Sequence, residues 1–150
     1  MNPPDPKTYA VASLREMWAV AAELAERYRT QGGVIALHGE LGAGKTALVQ
    51  GLAAALGVAQ PVTSPTFALV LEYPLPGGRR LVHMDLYRLP GAGALEAIGF
   101  EEYLESGDVI AIEWAERAGD LLPAATLHVD IRLADASSAA RLVTLRTGPA

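Results

Sequence analysis

The sequence predicts an α/β fold: one domain with a mixed β-sheet that is parallel at its centre and antiparallel at its flanks, with helices on both faces. Three observations predict it. A short apolar strand leads into a glycine-rich loop and a helix over residues 34–57. Two further apolar stretches, at 81–84 and 109–112, each end at an acidic residue. Apolar and polar residues then alternate over 127–133 and 141–146, the period of antiparallel strands.

The composition bounds the class of protein. A chain of 150 residues suits one domain, with loose ends expected at 1–12 and 147–150. Its 51% hydrophobic and 19% charged residues exclude disorder, and no apolar run approaches the roughly 20 residues of a membrane helix. Without cysteines or a secretory signal, the chain is expected to be soluble, cytoplasmic and not bound to membranes. A net charge of −5 argues against strong independent binding to nucleic acid.

The first helix is predicted by its cap. Ser13 and Glu16 have the spacing of a capping box, in which each side chain bonds a backbone N–H at the helix start. The pair Gly32-Gly33 ends the helical pattern. One apolar face is expected at Leu14, Met17, Trp18, Ala21, Leu24, Ala25 and Tyr28. This periodicity favours a core position for Trp18 over a base-stacking role.

Residues 39–46 have the full spacing of a P-loop, Gly-Glu-Leu-Gly-Ala-Gly-Lys-Thr. Such a loop turns backbone N–H groups around the α- and β-phosphates, sets Lys45 against the β/γ-oxygens and offers the Thr46 hydroxyl to magnesium. The flanks agree, because 34–37 is a short apolar strand and a helical pattern runs from Lys45 to a capping glycine, Gly57. The alternative is a glycine turn that only joins a strand to a helix. The predicted nucleotide contacts are Gly39, Glu40, Leu41, Gly42, Ala43, Gly44, Lys45, Thr46 and Ala47.

The middle of the chain predicts a hairpin and a buried strand. Residues 68–73 and 80–84 read as strands joined by a short turn, and so short a connection implies antiparallel pairing. Residues 86–105 carry weak helical signals, and 109–112 reads as a buried strand.

Two acidic residues stand where apolar strands end. Asp85 follows 81–84, and Glu113 follows 109–112. Ligands of open α/β sheets collect at the carboxyl ends of strands, and magnesium demands hard oxygen ligands. Both carboxylates are therefore candidates to hold magnesium or orient water. A solvated strand end or a helix cap is the alternative for each.

Other motifs narrow the nucleotide and the reaction. Ser64-Pro65-Thr66 is either a nucleotide-sensing segment, with Thr66 at the γ-phosphate or the metal, or an ordinary turn. His83 is more typical of a hydrogen-bonded core histidine than of a catalytic base. The chain has a single asparagine, Asn2, so it cannot contain the Asn-Lys-x-Asp motif that selects guanine. ATP is therefore favoured over GTP as the nucleotide. No basic helical lid appears between residues 86 and 150, so a small kinase is the weaker alternative.

Four motifs together resemble the TsaE (YjeE) family: 39–46, Ser64–Phe67, His83–Leu89 and Ile112–Trp114. The match extends from about Ser13 to Arg141 in order and spacing. The resemblance implies an ATPase of bacterial tRNA threonylcarbamoyladenosine synthesis, which modifies adenosine 37 of ANN-decoding tRNAs. It also implies a small P-loop fold, and the proteins TsaD and TsaB as partners, with tRNA contacted indirectly through their complex.

The resemblance implies residue roles as well. Lys45 would bind phosphate, Thr46 and Glu113 would bind Mg²⁺, and Asp85 would be the Walker B carboxylate important for hydrolysis. Ser64 and Thr66 would belong to a switch-like segment. Lys45 and Asp85 are the candidate catalytic residues, with ATP as substrate and Mg²⁺ as cofactor. No arginine finger is obvious, so hydrolysis without partners should be slow. A nucleotide-gated binding module with incidental hydrolysis is the alternative function.

Overall fold

The computed structural model describes residues 6–40, 42–63, 69–89, 92–135 and 140–148. The strands are β1 (Lys7–Val11), β2 (Gly33–His38), β3 (Val70–Pro74), β4 (Arg80–Asp85), β5 (Val109–Glu113), β6 (Leu127–Leu133) and β7 (Arg141–Thr147). The helices are α1 (Leu14–Tyr28), α2 (Lys45–Leu56), α3 (Ala92–Ala97) and α4 (Phe100–Glu105), with short 3₁₀ turns at Ala115–Arg117 and Gly119–Leu121.

One sheet contains all these strands, in the order β1-β7-β6-β2-β5-β4-β3. Strand β2 pairs in parallel with β5 and β6, and β5 pairs in parallel with β4. The outer pairs, β6/β7, β1/β7 and β3/β4, are antiparallel. The prediction of a parallel centre with antiparallel flanks is confirmed. Because β2 lies in the middle of the sheet, the loop that follows it opens at the centre of the carboxyl edge.

Helices cover both faces of the sheet, as predicted. Along β2, Ile35 and Leu37 face the core shared with α1 and α2. Their neighbours Val34 and Ala36 face a second core that includes Phe100 at the start of α4. A strand buried on both faces is apolar along its whole length, which explains the continuous Val-Ile-Ala-Leu run.

The capping box forms at the start of α1. Ser13 Oγ accepts the Glu16 N–H at 3.1 Å, and the Glu16 carboxylate accepts the Ala12 N–H at 3.3 Å. The predicted core position of Trp18 is wrong, because 41% of its surface is exposed, as is 61% of Leu14. The buried residues of this helix are Met17, Val20, Ala21, Leu24, Ala25 and Tyr28. Val20 belongs to this buried stripe, which is therefore turned slightly away from the predicted face and leaves Trp18 and Leu14 at its border.

The amino-terminal lead, expected to be loose up to residue 12, forms edge strand β1 over Lys7–Val11. It pairs antiparallel with β7, with Lys7 opposite Leu145 and Val11 opposite Arg141. Its last residue, Val11, is buried, and Tyr9 packs against the core. The prolines before residue 7 dominate the local pattern, and the partner strand lies more than 100 residues away, so the sequence alone does not predict this strand.

The hairpin and the helical segment follow the sequence with shifted bounds. Strands β3 and β4 pair antiparallel from Val70 opposite Met84 to Pro74 opposite Arg80. The weak helical signals of 86–105 resolve into α3 and α4. The two helices are separated at Gly99, whose φ of 76° favours glycine.

Candidate nucleotide-binding site

The P-loop connects β2 to α2 through a backbone that needs glycine. Gly39, Gly42 and Gly44 have φ angles of 155°, 82° and 119°. A Cβ on Gly39 would lie 2.6 Å from the Ile131 carbonyl oxygen, so no side chain fits there. Gly44 is the N-cap of α2, and no side chain makes a capping hydrogen bond there. The first N–H groups of α2 therefore remain available to an anion, as at other helix starts.

Lys45 is held at the base of this loop. It is 7% exposed, and its Nζ donates a 2.6 Å hydrogen bond to the Gly39 carbonyl oxygen. The same ammonium lies over the Trp114 ring, 5.2 Å from the ring centre. Among the ion pairs of the described residues, none involves Lys45. A buried ammonium bonded to neutral groups is well placed to bind phosphate.

Arg141 on β7 supports the loop from the other side. Its Nε donates to the Ala43 carbonyl at 3.0 Å, and its Nη2 donates to the Gly42 carbonyl at 3.4 Å. Arg141 also lines a cleft of about 400 Å³ together with Gly39, Glu40, Gly42, Ala43, Ile131, Arg132 and Leu133. Sequence reasoning assigned Arg141 only to a strand, because its partners lie 98 and 99 residues earlier in the chain.

Asp85 and Glu113 meet at the same edge of the sheet. They are direct partners in the parallel register of β4 and β5, and Glu113 is also the partner of Leu37, two residues before Gly39. Asp85 Oδ1 accepts the Tyr87 N–H at 2.9 Å, which leaves Oδ2 for another partner. The structure thus brings both predicted carboxylates to the edge from which the P-loop starts.

Glu113 is almost completely buried, with 5% of its surface exposed. Its Oε2 lies 2.7 Å from His83 Nε2, and this histidine is fully buried on β4. The favoured interpretation of His83 as a hydrogen-bonded core histidine is confirmed. Its partner, however, is one of the candidate metal ligands, and nothing in the local sequence pattern indicates that contact.

Trp114 follows Glu113 and has a positive φ of 58°. No other non-glycine residue of the described ranges has a positive φ. Its ring packs against Tyr87, with 4.8 Å between the ring centres. With Lys45, it lines a cavity of about 270 Å³ whose other walls are Leu37, His38, Gly39 and Glu116. Left-handed backbone at a bulky residue costs on the order of 1–3 kcal/mol and is typical of functional sites.

The oxygen ligands at this edge of the sheet suit magnesium. In the described ranges, no group of three or more His, Cys, Asp and Glu side chains is arranged to hold a metal ion by itself. Magnesium needs no such group, since it keeps several waters and is bound through one or two carboxylates plus substrate phosphates. Asp85, Glu113 and the Thr46 hydroxyl at the start of α2 fit that requirement.

A histidine pair lies behind the loop and was not anticipated. His128 Nε2 donates to the Gly148 carbonyl at 2.9 Å, so its Nδ1 accepts from His38 Nε2, also at 2.9 Å. His38 Nδ1 lies 3.6 Å from Glu116 Oε2. Burial lowers the pKa of His128, and the nearby Arg146 lowers it further. The pair links β6 to the residue that precedes Gly39.

Leu41 of the P-loop and the switch-like pair Ser64 and Thr66 lie outside the described residues. Within the described ranges, no helix has the length and apolarity needed to cross a membrane.

A family model decides the relationship of the chain to known proteins. The model for TsaE, described as threonylcarbamoyl adenosine biosynthesis protein TsaE, matches residues 11–143. The chain belongs to the TsaE family. This confirms the resemblance stated from the four motifs, and the matched range agrees with the predicted extent of Ser13 to Arg141.

Individual relatives agree with the family model. A protein of Treponema pallidum is 42% identical over 107 residues, covering 71% of this chain and 78% of that protein. A protein of Bacillus subtilis is 38% identical over 113 residues, covering 75% and 70% respectively. Both are named tRNA threonylcarbamoyladenosine biosynthesis protein TsaE. The crystal structure of YdiB from Bacillus subtilis superposes with a TM-score of 0.74 at 30% identity, covering 96% of this chain and 86% of YdiB.

Proposed function

We propose that this TsaE family member binds and hydrolyses Mg-ATP, and thereby supports TsaB and TsaD in forming N6-threonylcarbamoyladenosine at position 37 of ANN-decoding tRNAs. The observation that carries the ATPase part is the register of three neighbouring strands. It aligns Leu37, just before the P-loop, with Glu113 and then Asp85. A phosphate-binding lysine and two carboxylates thereby share one sheet edge, as Mg-nucleotide hydrolysis requires.

Phosphate binding starts from the loop itself. The backbone N–H groups at the start of α2 donate to the phosphate oxygens, and the helix dipole adds to the attraction. Lys45 exchanges its bond to the Gly39 carbonyl for bonds to phosphate oxygens. An anionic phosphate oxygen attracts the ammonium by Coulomb interaction more strongly than a neutral carbonyl does, so this exchange favours the bound nucleotide.

Thr46, Glu113 and Asp85 are the residues that would hold magnesium. The ion, when bound, neutralises charge that develops on the β- and γ-phosphate oxygens. The Tyr87 N–H fixes one oxygen of Asp85, so the other is available to the metal's waters or to the attacking water. We assign to Asp85 the larger effect on hydrolysis and to Glu113 the larger effect on metal binding.

Hydrolysis by the isolated protein should be slow. The residues that line the cavity at Lys45 include no arginine in the described part of the chain. An arginine supplied to the transferring phosphate is worth roughly 10³–10⁵ in rate. The partners, or a rearrangement that they induce, would then supply the missing stabilisation.

The role in tRNA modification rests on family membership. With a net charge of −5, the chain is poorly suited to bind tRNA by itself, because phosphates are neutralised by clustered lysine and arginine. Contact with tRNA is therefore proposed to occur through the complex with TsaB and TsaD. We place the protein in the cytoplasm, where tRNA is modified.

Nucleotide binding is tested first by calorimetric titration of ATP in the presence of Mg²⁺. Lys45→Ala should abolish tight binding. Lys7→Ala is the matched control, because Lys7 is the other lysine of the chain and is an exposed partner of Glu23. Equal ATP affinity of the two variants would contradict the proposed site.

Turnover is tested by phosphate release with and without TsaB and TsaD, alongside threonylcarbamoyladenosine formation. The partners should raise turnover, and Asp85→Asn should lower it while ATP binding persists. Multiple rounds of modification with a non-hydrolysable ATP analogue would favour a binding module instead. Phosphate found on an acceptor other than water would favour a kinase.

A further inference from the structure

The buried pair of His83 and Glu113 has a feature that packing alone does not explain. His83 is fully buried on β4, and its Nε2 lies 2.7 Å from Glu113 Oε2. Its other ring nitrogen, Nδ1, is buried and has no hydrogen-bond partner. In the described ranges it is the one buried polar side-chain atom in that situation. An unsatisfied buried polar atom costs roughly 1–3 kcal/mol.

The rest of this strand is apolar around His83. The neighbouring residues Leu81, Val82 and Met84 are fully buried and apolar. Leucine or valine at position 83 would avoid the orphaned nitrogen but would leave the buried carboxylate of Glu113 without its donor. The imidazole therefore serves its one contact, with the carboxylate of Glu113.

The direction of that hydrogen bond follows from the atoms. An ionised carboxylate only accepts hydrogen bonds, so the proton is on Nε2 and His83 is the donor. The bond holds Oε2 of Glu113, and His83 does not contact the other oxygen, Oε1. Rotation of the carboxylate away from Nε2 would break this buried hydrogen bond.

We propose that His83 is a positioning residue that orients Glu113 for the magnesium of the nucleotide complex. The inference rests on the proposed function, because it requires Glu113 to be a metal ligand. His83 itself touches neither metal nor nucleotide. Partners that hold a metal ligand in this way typically change metal affinity or activity by about 10–100-fold when they are removed.

Three substitutions separate the donor from the volume of the ring. His83→Gln places an amide N–H near the position of Nε2 and should keep Glu113 in place. His83→Asn reaches only the position of Nδ1, and His83→Leu fills the space without a donor. Met84→Leu is the matched control, since Met84 is the fully buried neighbour on the same strand but faces the other core.

The main measurement is the Mg²⁺ concentration that gives half of the magnesium-dependent gain in affinity for a fluorescent ATP analogue. We expect it to rise about 10-fold or more in His83→Asn and His83→Leu, and by less than about threefold in His83→Gln and Met84→Leu. Affinity in EDTA should stay within about twofold of the parent protein, because the phosphate-binding loop is intact. If His83→Leu does not fold, the comparison of His83→Gln with His83→Asn decides.

A second measurement does not depend on the loaded site. Nitrogen-15 NMR of the imidazole side chains in the nucleotide-free protein should show His83 protonated at Nε2. A proton on Nδ1 instead would overturn the assignment of His83 as donor.

The outcomes separate this inference from the proposed function. If the parent protein shows no magnesium-dependent gain in ATP affinity, the proposed function fails and the inference fails with it. If the parent and Glu113→Gln differ in that gain, but folded His83→Asn and His83→Leu behave as the parent does, only the role of His83 is overturned.

Discussion

The Lys45 ammonium lies over the face of the Trp114 indole, 5.2 Å from the ring centre. The contact joins the P-loop to the residue that follows Glu113, and Trp114 has a positive φ of 58°. A cation over an aromatic face is attracted by about 0.5–1 kcal/mol at exposed sites and by more where water is excluded. Lys45 therefore has a defined resting position, from which the proposed binding of phosphate would draw it.

Trp114 should report the arrival of nucleotide. Binding that draws the Lys45 ammonium away from the indole changes its environment, so intrinsic tryptophan fluorescence should shift on addition of Mg-ATP. The chain has two tryptophans, and the other, Trp18, is partly exposed on α1. Trp18→Phe should keep the fluorescence change, whereas Trp114→Phe should lose it. A signal that persists in Trp114→Phe would place the change at α1 instead.

Arg141 should affect nucleotide affinity although it lies on β7. Arg141→Met removes the bonds to the carbonyls of Ala43 and Gly42 and keeps much of the side-chain volume. Hydrogen bonds of this kind contribute about 0.5–1.5 kcal/mol each, so ATP affinity should fall about 3–10-fold as the loop loosens. Calorimetric titration of ATP measures the change.

The control for that prediction is on the same strand. Arg146→Met removes a partly exposed pair with Asp130, away from the loop carbonyls. Its ATP affinity should stay within about twofold of the parent. Equal losses in the two variants would attribute the effect to β7 as a whole and not to the bonds of Arg141.

His128 should make the fold less stable in mild acid. Burial and Arg146 lower its pKa in the folded state, so the unfolded chain takes up the proton first as the pH falls. Stability is then complete above about pH 6.5, the usual histidine value, and declines as the pH falls through the lower pKa of the folded protein.

The test compares thermal midpoints at pH 7.5 and pH 5.5 in the parent and in His128→Gln. The variant should be less stable at pH 7.5, since it loses the bond that His128 Nδ1 accepts from His38. Its midpoint should nevertheless fall less between the two pH values. Equal declines in both proteins would assign the acid sensitivity to other groups.

Local sequence patterns predicted the parts of the site that lie on consecutive residues. The P-loop was recognised because its glycines, lysine and threonine, and both flanking elements, fall within residues 34–57. Asp85 and Glu113 were found because each ends an apolar strand, and parallel strands end at a common edge. In the structure the two residues are direct partners in the register of β4 and β5, as that rule predicts.

What the sequence did not predict depends on contacts between distant residues. Arg141 reaches the P-loop from about 98 positions away, and His38 meets His128 across 90 positions. Strand β1 forms by pairing with β7, which lies at the other end of the chain. Periodicity reports which face of an element is apolar, but not which element covers it. The same limit explains Trp18, whose exposure depends on how closely α1 approaches α2.

That close approach gives a last prediction, at Gly51 in the middle of α2. Helix propensity alone favours alanine there by about 1 kcal/mol. In the structure, however, a Cβ on Gly51 would lie 2.9 Å from the Ala21 Cβ and 3.0 Å from the Trp18 ring. Overpacking of this kind typically costs about 1–3 kcal/mol, so packing should outweigh propensity and Gly51→Ala should lower the free energy of unfolding.

Denaturant unfolding of two further proteins isolates the cause. Ala54→Gly changes an exposed position of the same helix and should cost about 1 kcal/mol from propensity alone. Trp18→Ala combined with Gly51→Ala removes one of the two crowded contacts, so the alanine should cost less in that background than in the parent. A Gly51→Ala variant more stable than the parent would mean that α1 can move away from α2 without loss, and that the exposed edge of Trp18 is not fixed by this contact.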